Sequence, residues 1–121
     1  MKHTYWKYPL RIDPAVLRGG ADAFGARLKA AGVFCVPRYI QKPAFECEVL
    51  RDQRTFGQSR FPFVGEHRKN DPEIKYDAAE TPGTVEALAR VVVLPWNERY
   101  QDEHVDFIAG VIRAAHRELV A

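Results

Sequence analysis

The residues with the clearest chemical potential in this 121-residue sequence follow a short apolar run, in the segment Arg38-Tyr39-Ile40-Gln41-Lys42. The guanidinium of Arg38 and the ammonium of Lys42 can hold an anionic group. The Tyr39 ring can stack or its hydroxyl can donate a hydrogen bond, and the Gln41 amide can donate and accept. Because this segment leaves an apolar run that reads as a buried strand, its side chains belong at the rim of a sheet, where α/β proteins commonly bind ligands. We therefore predict four substrate-binding residues, Arg38, Tyr39, Gln41 and Lys42.

A second group further along the chain interleaves basic and aromatic residues. Its members are Arg54, Phe56, Arg60, Phe61 and Phe63. Apolar side chains in an irregular segment usually mark an interface, so we predict that this group forms an interface or the rim of a pocket. In an alternative interpretation the arginines are solvated or pair with Glu46, Glu48 and Asp52, while the phenylalanines cover the core. Such interleaving also suits single-stranded nucleic acid, but a net charge of +2 argues against a dedicated nucleic-acid binder.

The sequence carries no self-sufficient catalytic motif. It lacks GxSxG, GxGxxG, HExxH and a Walker loop, and its four histidines have no metal-ligand spacing. Cys35 lies in an apolar run and is typical of a small core residue. An independent enzyme using Arg38, Tyr39 and Cys47 would need a nucleophile–base pair that the sequence does not contain. We therefore predict no catalytic residue, no metal site and no cofactor bound by this chain alone.

Composition predicts an ordinary soluble globular protein with one domain over residues 1–121. Hydrophobic residues make up 46% of the chain and charged residues 28%. No stretch approaches the roughly 18 apolar residues of a membrane span, and the N-terminus lacks the apolar core of a signal peptide. Two cysteines are too few for a disulfide framework. We expect a cytoplasmic protein that binds neither membrane nor nucleic acid.

Three elements are predicted in the first third of the chain. Apolar residues alternate over residues 3–12, which predicts a strand, and Pro9 favours an edge position or a bulge for it. An amphipathic helix begins near Ala21 and ends where Gly32 can adopt a positive φ. Residues 33–36 are apolar throughout and predict a short buried strand, stopped by Pro37.

The middle of the chain is predicted to be the least regular. A short helix is expected over residues 45–51, followed by an irregular loop over about residues 52–80. Thr81-Pro82 predicts a helix start, with the threonine hydroxyl as the N-cap and proline in the first helical position. The inward stripe of this helix would consist of Val85, Leu88 and Ala89.

The last third predicts a strand and a helix. The strand covers residues 91–94 and ends at Pro95, and an amphipathic helix begins near Asp102. The apolar face of that helix comprises Val105, Ile108, Ala109, Ile112, Ala115 and Leu119. The resulting order is β-α-β-(loop/short α)-α-β-α. The predicted fold class is α/β (α+β), with a small sheet of about three strands covered by helices.

Three segments resemble the C-terminal part of DegT/StrS-type aminotransferases. They are VFCVPRYIQKPAFECEVLRDQRTFGQSRFPF, TPGTVEALARVVVLPWNERYQDEHVDFIAGVI and YWKYPLRID. The resemblance covers about residues 5–119, and its most specific pieces are RYIQKPAF and the region from Leu94-Pro95-Trp96 to Ile112. Members of that family are pyridoxal-phosphate (PLP) enzymes of the aspartate-aminotransferase fold, fold type I, and many aminate keto sugars or cyclitols. The resemblance implies that this chain is the small α/β domain that covers the site.

The resemblance also implies what the chain lacks. The cofactor lysine, the acidic partner of the pyridine nitrogen and the phosphate cup belong to the family's large domain, and no residue here matches them. The parent enzyme would use PLP, while this chain alone would be catalytically incomplete. Its expected partner is the large PLP-binding domain or a second subunit, and self-association as a homodimer is also expected. The alternative is a stand-alone binding or regulatory module derived from that domain.

Two positions depart from the family's pattern. Many relatives carry a His-Tyr pair followed by proline and a second histidine, so only Tyr39 is carried over directly. Arg38 stands in the place of the imidazole, which favours an anionic or more polar group on the substrate. Gln101 occupies a position where Ser or Thr often caps the helix, a change expected to cost about 1 kcal/mol.

Overall fold

The computed structural model describes residues 6–120, so the part of the first predicted strand at residues 3–5 lies outside it. The chain divides into two compact units. The first comprises Met1–Gln41 with Ala87–Ala121, and the second is Lys42–Glu86. The expectation of a single domain stays a prediction.

A small antiparallel sheet forms the base of the first unit. Its strands are β1 (Lys7–Arg11), β2 (Val36–Pro37) and β3 (Val91–Pro95), in the order β1-β3-β2. Strand β1 is therefore an edge strand, as Pro9 predicts. The sheet and its helices form an α+β unit, and the elements follow the predicted order along the chain.

Two helices of this unit enclose the core with the sheet. Helix α1 covers Gly20–Ala30 and helix α4 covers Asp102–Leu119. Paired residues of antiparallel strands share a face, so Leu10 and Val92 point to the same side of the sheet. That side joins the core cluster, whose other members are Ile12, Leu17, Ala21, Phe24, Leu28, Val33, Cys35, Leu94 and Ala115.

Helix α1 ends where its sequence predicts, just before Gly32. Gly32 has φ +85°, a left-handed conformation that favours glycine. The Gly32 N–H donates to the Lys29 carbonyl at 3.0 Å, and the Val33 N–H donates to the Leu28 carbonyl at 2.9 Å. This pair of bonds is a Schellman motif, which satisfies carbonyls that the helix end would otherwise leave free.

Helix α1 approaches strand β2 very closely at Gly25. A Cβ atom on Gly25 would lie 2.1 Å from Cγ of Pro37, a distance that no pair of non-bonded carbons can adopt. The buried Cys35 thiol also contacts this turn, because its Sγ donates to the Gly25 carbonyl at 3.4 Å. Glycine at position 25 thus fixes Pro37, the residue that precedes the predicted site.

Strand β2 is shorter than predicted and lies further along the chain. The predicted strand at residues 33–36 pairs only at Val36, and pairing continues into Pro37. The register would place Phe34 opposite Pro95, which has no backbone N–H, so the ladder cannot extend that way. Residues 33–35 still alternate, since Val33 and Cys35 are buried and Phe34 is exposed.

The second unit contains little regular structure. The helix predicted over residues 45–51 is split into a 3₁₀ turn at Ala44–Glu46 and a single α turn, α2 (Glu48–Arg51). The break lies at Cys47, whose φ of −67° and ψ of 143° are extended. Two further 3₁₀ turns, Glu66–Arg68 and Ala78–Glu80, interrupt the predicted irregular loop.

Helix α3 (Pro82–Arg90) begins where Thr81-Pro82 predicts, but two details differ. The Thr81 hydroxyl is buried and has no hydrogen-bond partner among residues 6–120, so it does not cap the helix. Of the predicted inward stripe, Val85 and Ala89 are exposed and only Leu88 is half-buried. Helical spacing predicts which residues share a face, but not whether another element covers that face.

Helix α4 begins at Asp102 as predicted and is capped in an unexpected way. The Gln101 N–H donates to Nδ1 of His104 at 3.1 Å, which is the backward bond of a capping box. This bond gives the Gln101 N–H an acceptor within the first turn of the helix. Val105 is exposed instead of facing the core, so the buried part of the helix begins one turn later. No helix among the described residues is long and apolar enough to cross a membrane.

Candidate functional site

Strand β2 leads directly into the first predicted group. The Arg38 N–H makes the last bond to the sheet, donating to the Val91 carbonyl at 2.7 Å. Arg38 then adopts φ +46°, which turns the chain sharply away from the strand. As a result Arg38, Tyr39 and Gln41 lie on the surface, at the end of the sheet where the sequence predicts them.

Lys7 of β1 joins this group. Its Nζ donates a hydrogen bond to the Tyr39 hydroxyl and lies 3.9 Å from the centroid of the Tyr39 ring. The same Nζ lies 3.8 Å from the Trp6 ring centroid, so the ammonium contacts two aromatic rings. Because the Tyr39 oxygen accepts from Lys7, its own proton remains available for a ligand.

Arg38 is held by an ion pair with α1. Its Nε donates to Oδ1 of Asp22 at 3.1 Å, and the two side chains are 49% and 63% exposed. An ion pair this exposed contributes little to stability. It does orient the guanidinium, and the bond through Nε leaves the terminal amino groups as donors for an anion.

The other two predicted residues are not joined to this cluster. Gln41 and Lys42 are exposed, and neither bonds to Lys7, Arg38 or Tyr39 within the described residues. Lys42 begins the second unit. The cluster that the structure assembles therefore consists of Lys7, Asp22, Arg38 and Tyr39, of which sequence reasoning missed Lys7 and Asp22. The sequence did contain a signal for Lys7. It lies at an odd-numbered position of the first strand, whereas the apolar face of that strand is formed by even-numbered residues.

The cluster offers the ammonium of Lys7, the guanidinium of Arg38 and the hydroxyl of Tyr39 as donors to an anion. Among the described residues no polar or charged side chain is buried. Desolvation is a common means of tuning a catalytic group, and none of the four side chains of the cluster is fully buried. No group of three or more His, Cys, Asp or Glu residues in this part of the chain could hold a metal ion.

The lysines do not fit a covalent PLP site. A Schiff-base lysine is activated by desolvation or by a neighbouring cation. The described lysines are exposed, apart from the half-buried Lys7. Two are paired on the surface, Lys69 with Glu66 at 3.4 Å and Lys75 with Glu73 at 3.2 Å. None of these described lysines therefore has the surroundings that activate a Schiff-base lysine.

The second predicted group lies on a closed turn in the second unit. Thr55 Oγ1 donates to the Phe61 carbonyl at 2.6 Å, and the Thr55 N–H donates to the Ser59 carbonyl at 3.2 Å. Gly57, at φ +56°, allows the chain to reverse. Phe56 stands at the tip with 82% of its surface exposed.

Arg60 lies at the base of this turn and faces a pocket. Its terminal amino group donates to Oε1 of Gln53 at 2.7 Å, and Gln53 Nε2 donates to the Ile74 carbonyl at 2.7 Å. The pocket has a volume of about 560 Å³ and also contains Phe45 and Tyr76, whose rings stack 6.1 Å apart. A smaller pocket of about 250 Å³ is also lined by Arg60 and includes Phe63.

Asp52, an acidic residue near this group, forms a hydrogen bond with an arginine outside the group. Arg51, a residue of α2, donates to Asp52 through Nε at 2.7 Å. This hydrogen bond holds the pKa of the Asp52 carboxyl below its usual value. Arg60 instead bonds the Gln53 amide. Arg60 therefore does not pair with Asp52, although the charge of Arg54 also helps to lower the pKa of the Asp52 carboxyl.

A third pocket, in the first unit, was not predicted. It has a volume of about 380 Å³ and lies where the end of β3 meets the first turns of α4. Its apolar wall includes Phe34 and Phe107, which are 69% and 54% exposed, and its rim includes Glu103 and His104. The helical spacing of α4 placed Phe107 off the apolar face, so sequence periodicity gave no signal for it.

The described residues thus form an α+β structure that carries the cluster of Lys7, Asp22, Arg38 and Tyr39 on its surface. No family model, no curated protein and no solved structure matches the chain. A proposal for its function therefore depends on the chemistry of its own residues and on the resemblance described in the sequence analysis.

Proposed function

We propose that this chain is the small domain of a DegT/StrS-like, PLP-dependent aminotransferase that acts on a keto sugar or cyclitol. A larger domain or a second subunit would hold the cofactor, and this domain would cover the substrate. One observation carries the proposal. Lys7, Arg38 and Tyr39 form a surface cluster at the end of β2, whose cationic groups and hydroxyl can donate hydrogen bonds to a ligand.

Each residue of the cluster has a binding role in this proposal. Arg38 and Lys7 would hold an anionic group of the substrate, and Tyr39 would donate its free hydroxyl proton to a substrate oxygen. Asp22 would orient Arg38 through the 3.1 Å bond to Nε. The chain's contribution is to bind and orient the substrate and to exclude water from it.

The architecture supports the same proposal. A three-stranded antiparallel sheet with helices packed on it has the composition of elements that the resemblance implies for a fold-type I small domain. Of the two most specific resembling segments, RYIQKPAF begins with the Arg38 turn directly after β2, and the region from Leu94 to Ile112 contains the end of β3 and the first part of α4. The first of them supplies Arg38 and Tyr39, and Lys7 comes from the third resembling segment, YWKYPLRID.

The test combines the chain with a cofactor-binding domain. The expected source of that domain is a reading frame adjacent to, or continuous with, this chain. Mixing the two should give amination of a keto sugar that neither gives alone. Arg38→Ala and Tyr39→Phe should raise KM, whereas Arg11→Ala, which removes an exposed cation elsewhere on β1, should not. If this chain alone took up PLP, with a visible absorbance change that an amino donor reversed, the proposal would be wrong.

The 560 Å³ pocket favours the alternative, a stand-alone binding module. Its charged and aromatic lining could hold a ligand without any second domain. Titration with phosphorylated sugars by calorimetry separates the two proposals. Binding that is lost in Arg60→Ala and retained in Arg38→Ala would support the module, and the reverse pattern would support the small domain.

A further inference from the structure

The closed turn described above is a preorganised apolar projection with basic flanks. We call residues 54–61 the Phe56 turn. It carries Arg54 and Arg60 and no acidic residue. The bond from Thr55 to the Phe61 carbonyl already closes it, so little conformational entropy remains to be lost when Phe56 is buried. An exposed aromatic side chain beside arginines is the composition that dominates interface binding energy.

The pocket at the start of α4 is an apolar concave surface with acidic residues beside it. We call it the α4 groove, formed by Val33, Phe34, Leu94, Pro95, Phe107 and Ile108. Its volume of about 380 Å³ is within the range of pockets that enclose organic groups. Residues 98–106 beside it contain four acidic side chains and one arginine. None of the ion pairs found among residues 6–120 includes Asp102, Glu103 or Asp106.

We propose that the α4 groove binds the Phe56 turn of a second copy of this chain. Phe56 fills the apolar groove, and Arg54 faces the acidic first turns of α4. The two surfaces match in both polarity and charge, and complementary charges of this kind give register and specificity to a contact. Burial of Phe56 and Phe34 removes the two most exposed phenylalanines of the described chain from water.

This contact specifies the interface that the sequence predicts for Arg54, Phe56, Arg60, Phe61 and Phe63, and it depends on that prediction alone. It identifies the partner of those residues as a second subunit. It involves neither the cofactor domain nor the cluster of Lys7, Arg38 and Tyr39. Failure of the self-association test would therefore leave the amination test of the small-domain proposal unaffected.

Sedimentation velocity of the 121-residue chain over a range of concentrations tests the contact. Wild-type protein should associate, and Phe56→Ala and Phe107→Ala should each raise the dissociation constant by about tenfold or more. Ile40→Ala is the matched control, because Ile40 is 56% exposed and lies outside both surfaces. Circular dichroism establishes that each variant is folded.

Mixing the two defective variants provides the decisive arm. Phe107→Ala protein retains an intact Phe56 turn and Phe56→Ala protein retains an intact α4 groove, so the mixture should associate more tightly than either variant alone. A charge exchange gives an independent check, since Arg54→Glu mixed with Glu103→Arg should associate while each alone does not. A wild-type chain that stays monomeric at all concentrations, or a mixture no tighter than its components, would overturn the proposal.

Discussion

Replacing Gly25 by alanine tests the contact that positions the candidate site. The new Cβ would lie 2.1 Å from Cγ of Pro37, and 3.2 Å from two further atoms of that ring. A proline ring is closed onto the backbone, so it cannot rotate away as a flexible side chain can. Either α1 or β2 must therefore move by more than 1 Å to reach ordinary van der Waals contact, about 3.5 Å.

Two opposing effects set the magnitude. Alanine is favoured over glycine inside a helix by about 1 kcal/mol. Overpacking of a closely packed contact typically costs about 1–3 kcal/mol, and a collision with a rigid ring belongs at the upper end. We expect the free energy of unfolding to fall by about 2 kcal/mol, the difference between these terms.

Gly110→Ala in α4 is the matched control. No atom lies within 4 Å of the position that its Cβ would occupy, so only helix propensity acts there. It should stabilise the protein by about 1 kcal/mol. Urea unfolding followed by circular dichroism measures both variants, and the Gly25 variant should also change the NMR resonances of Tyr39. Equal stabilities for the two variants would refute the close packing of α1 on β2.

Two further predictions concern single side chains. Burial raises the pKa of the Cys35 thiol, with a smaller opposing effect of Lys29, so a thiol reagent at neutral pH should modify the exposed Cys47 much faster than Cys35. Above about pH 8.5 the unfolded chain loses the Cys35 thiol proton while the folded chain keeps it, so the free energy of unfolding should fall as pH rises. Cys35→Ala should remove this contribution to the pH dependence. His104→Ala should cost about 1 kcal/mol in urea unfolding because the Gln101 N–H loses its acceptor. His104→Gln, which keeps an acceptor at this position, should cost less, and equal losses would exclude the capping role.

The sequence predicts the elements of the first unit because local chemistry determines them. Gly32 ends α1 since only a left-handed residue closes that helix, and Asp102 begins α4 at the polar boundary of an apolar repeat. Sequence-based prediction of pairing and burial is wrong where these depend on another element of the fold. Pairing of residues 33–35 depends on Pro95 of another strand, and burial of Val85 depends on an element that does not cover it.

The candidate site shows the same division between local and distant effects. Arg38 and Tyr39 could be identified because they follow a strand, which is a local feature. Lys7 could not, since its hydrogen bond to Tyr39 connects residues 32 positions apart in the sequence. Gly25 is the strongest case. In the sequence it is an unfavourable residue within a helical pattern, yet its missing side chain lets Pro37 approach and so sets the position of Arg38. A glycine that matters because it lacks a side chain adds nothing to a periodic pattern of apolar residues. Its role is therefore visible only in the packed structure.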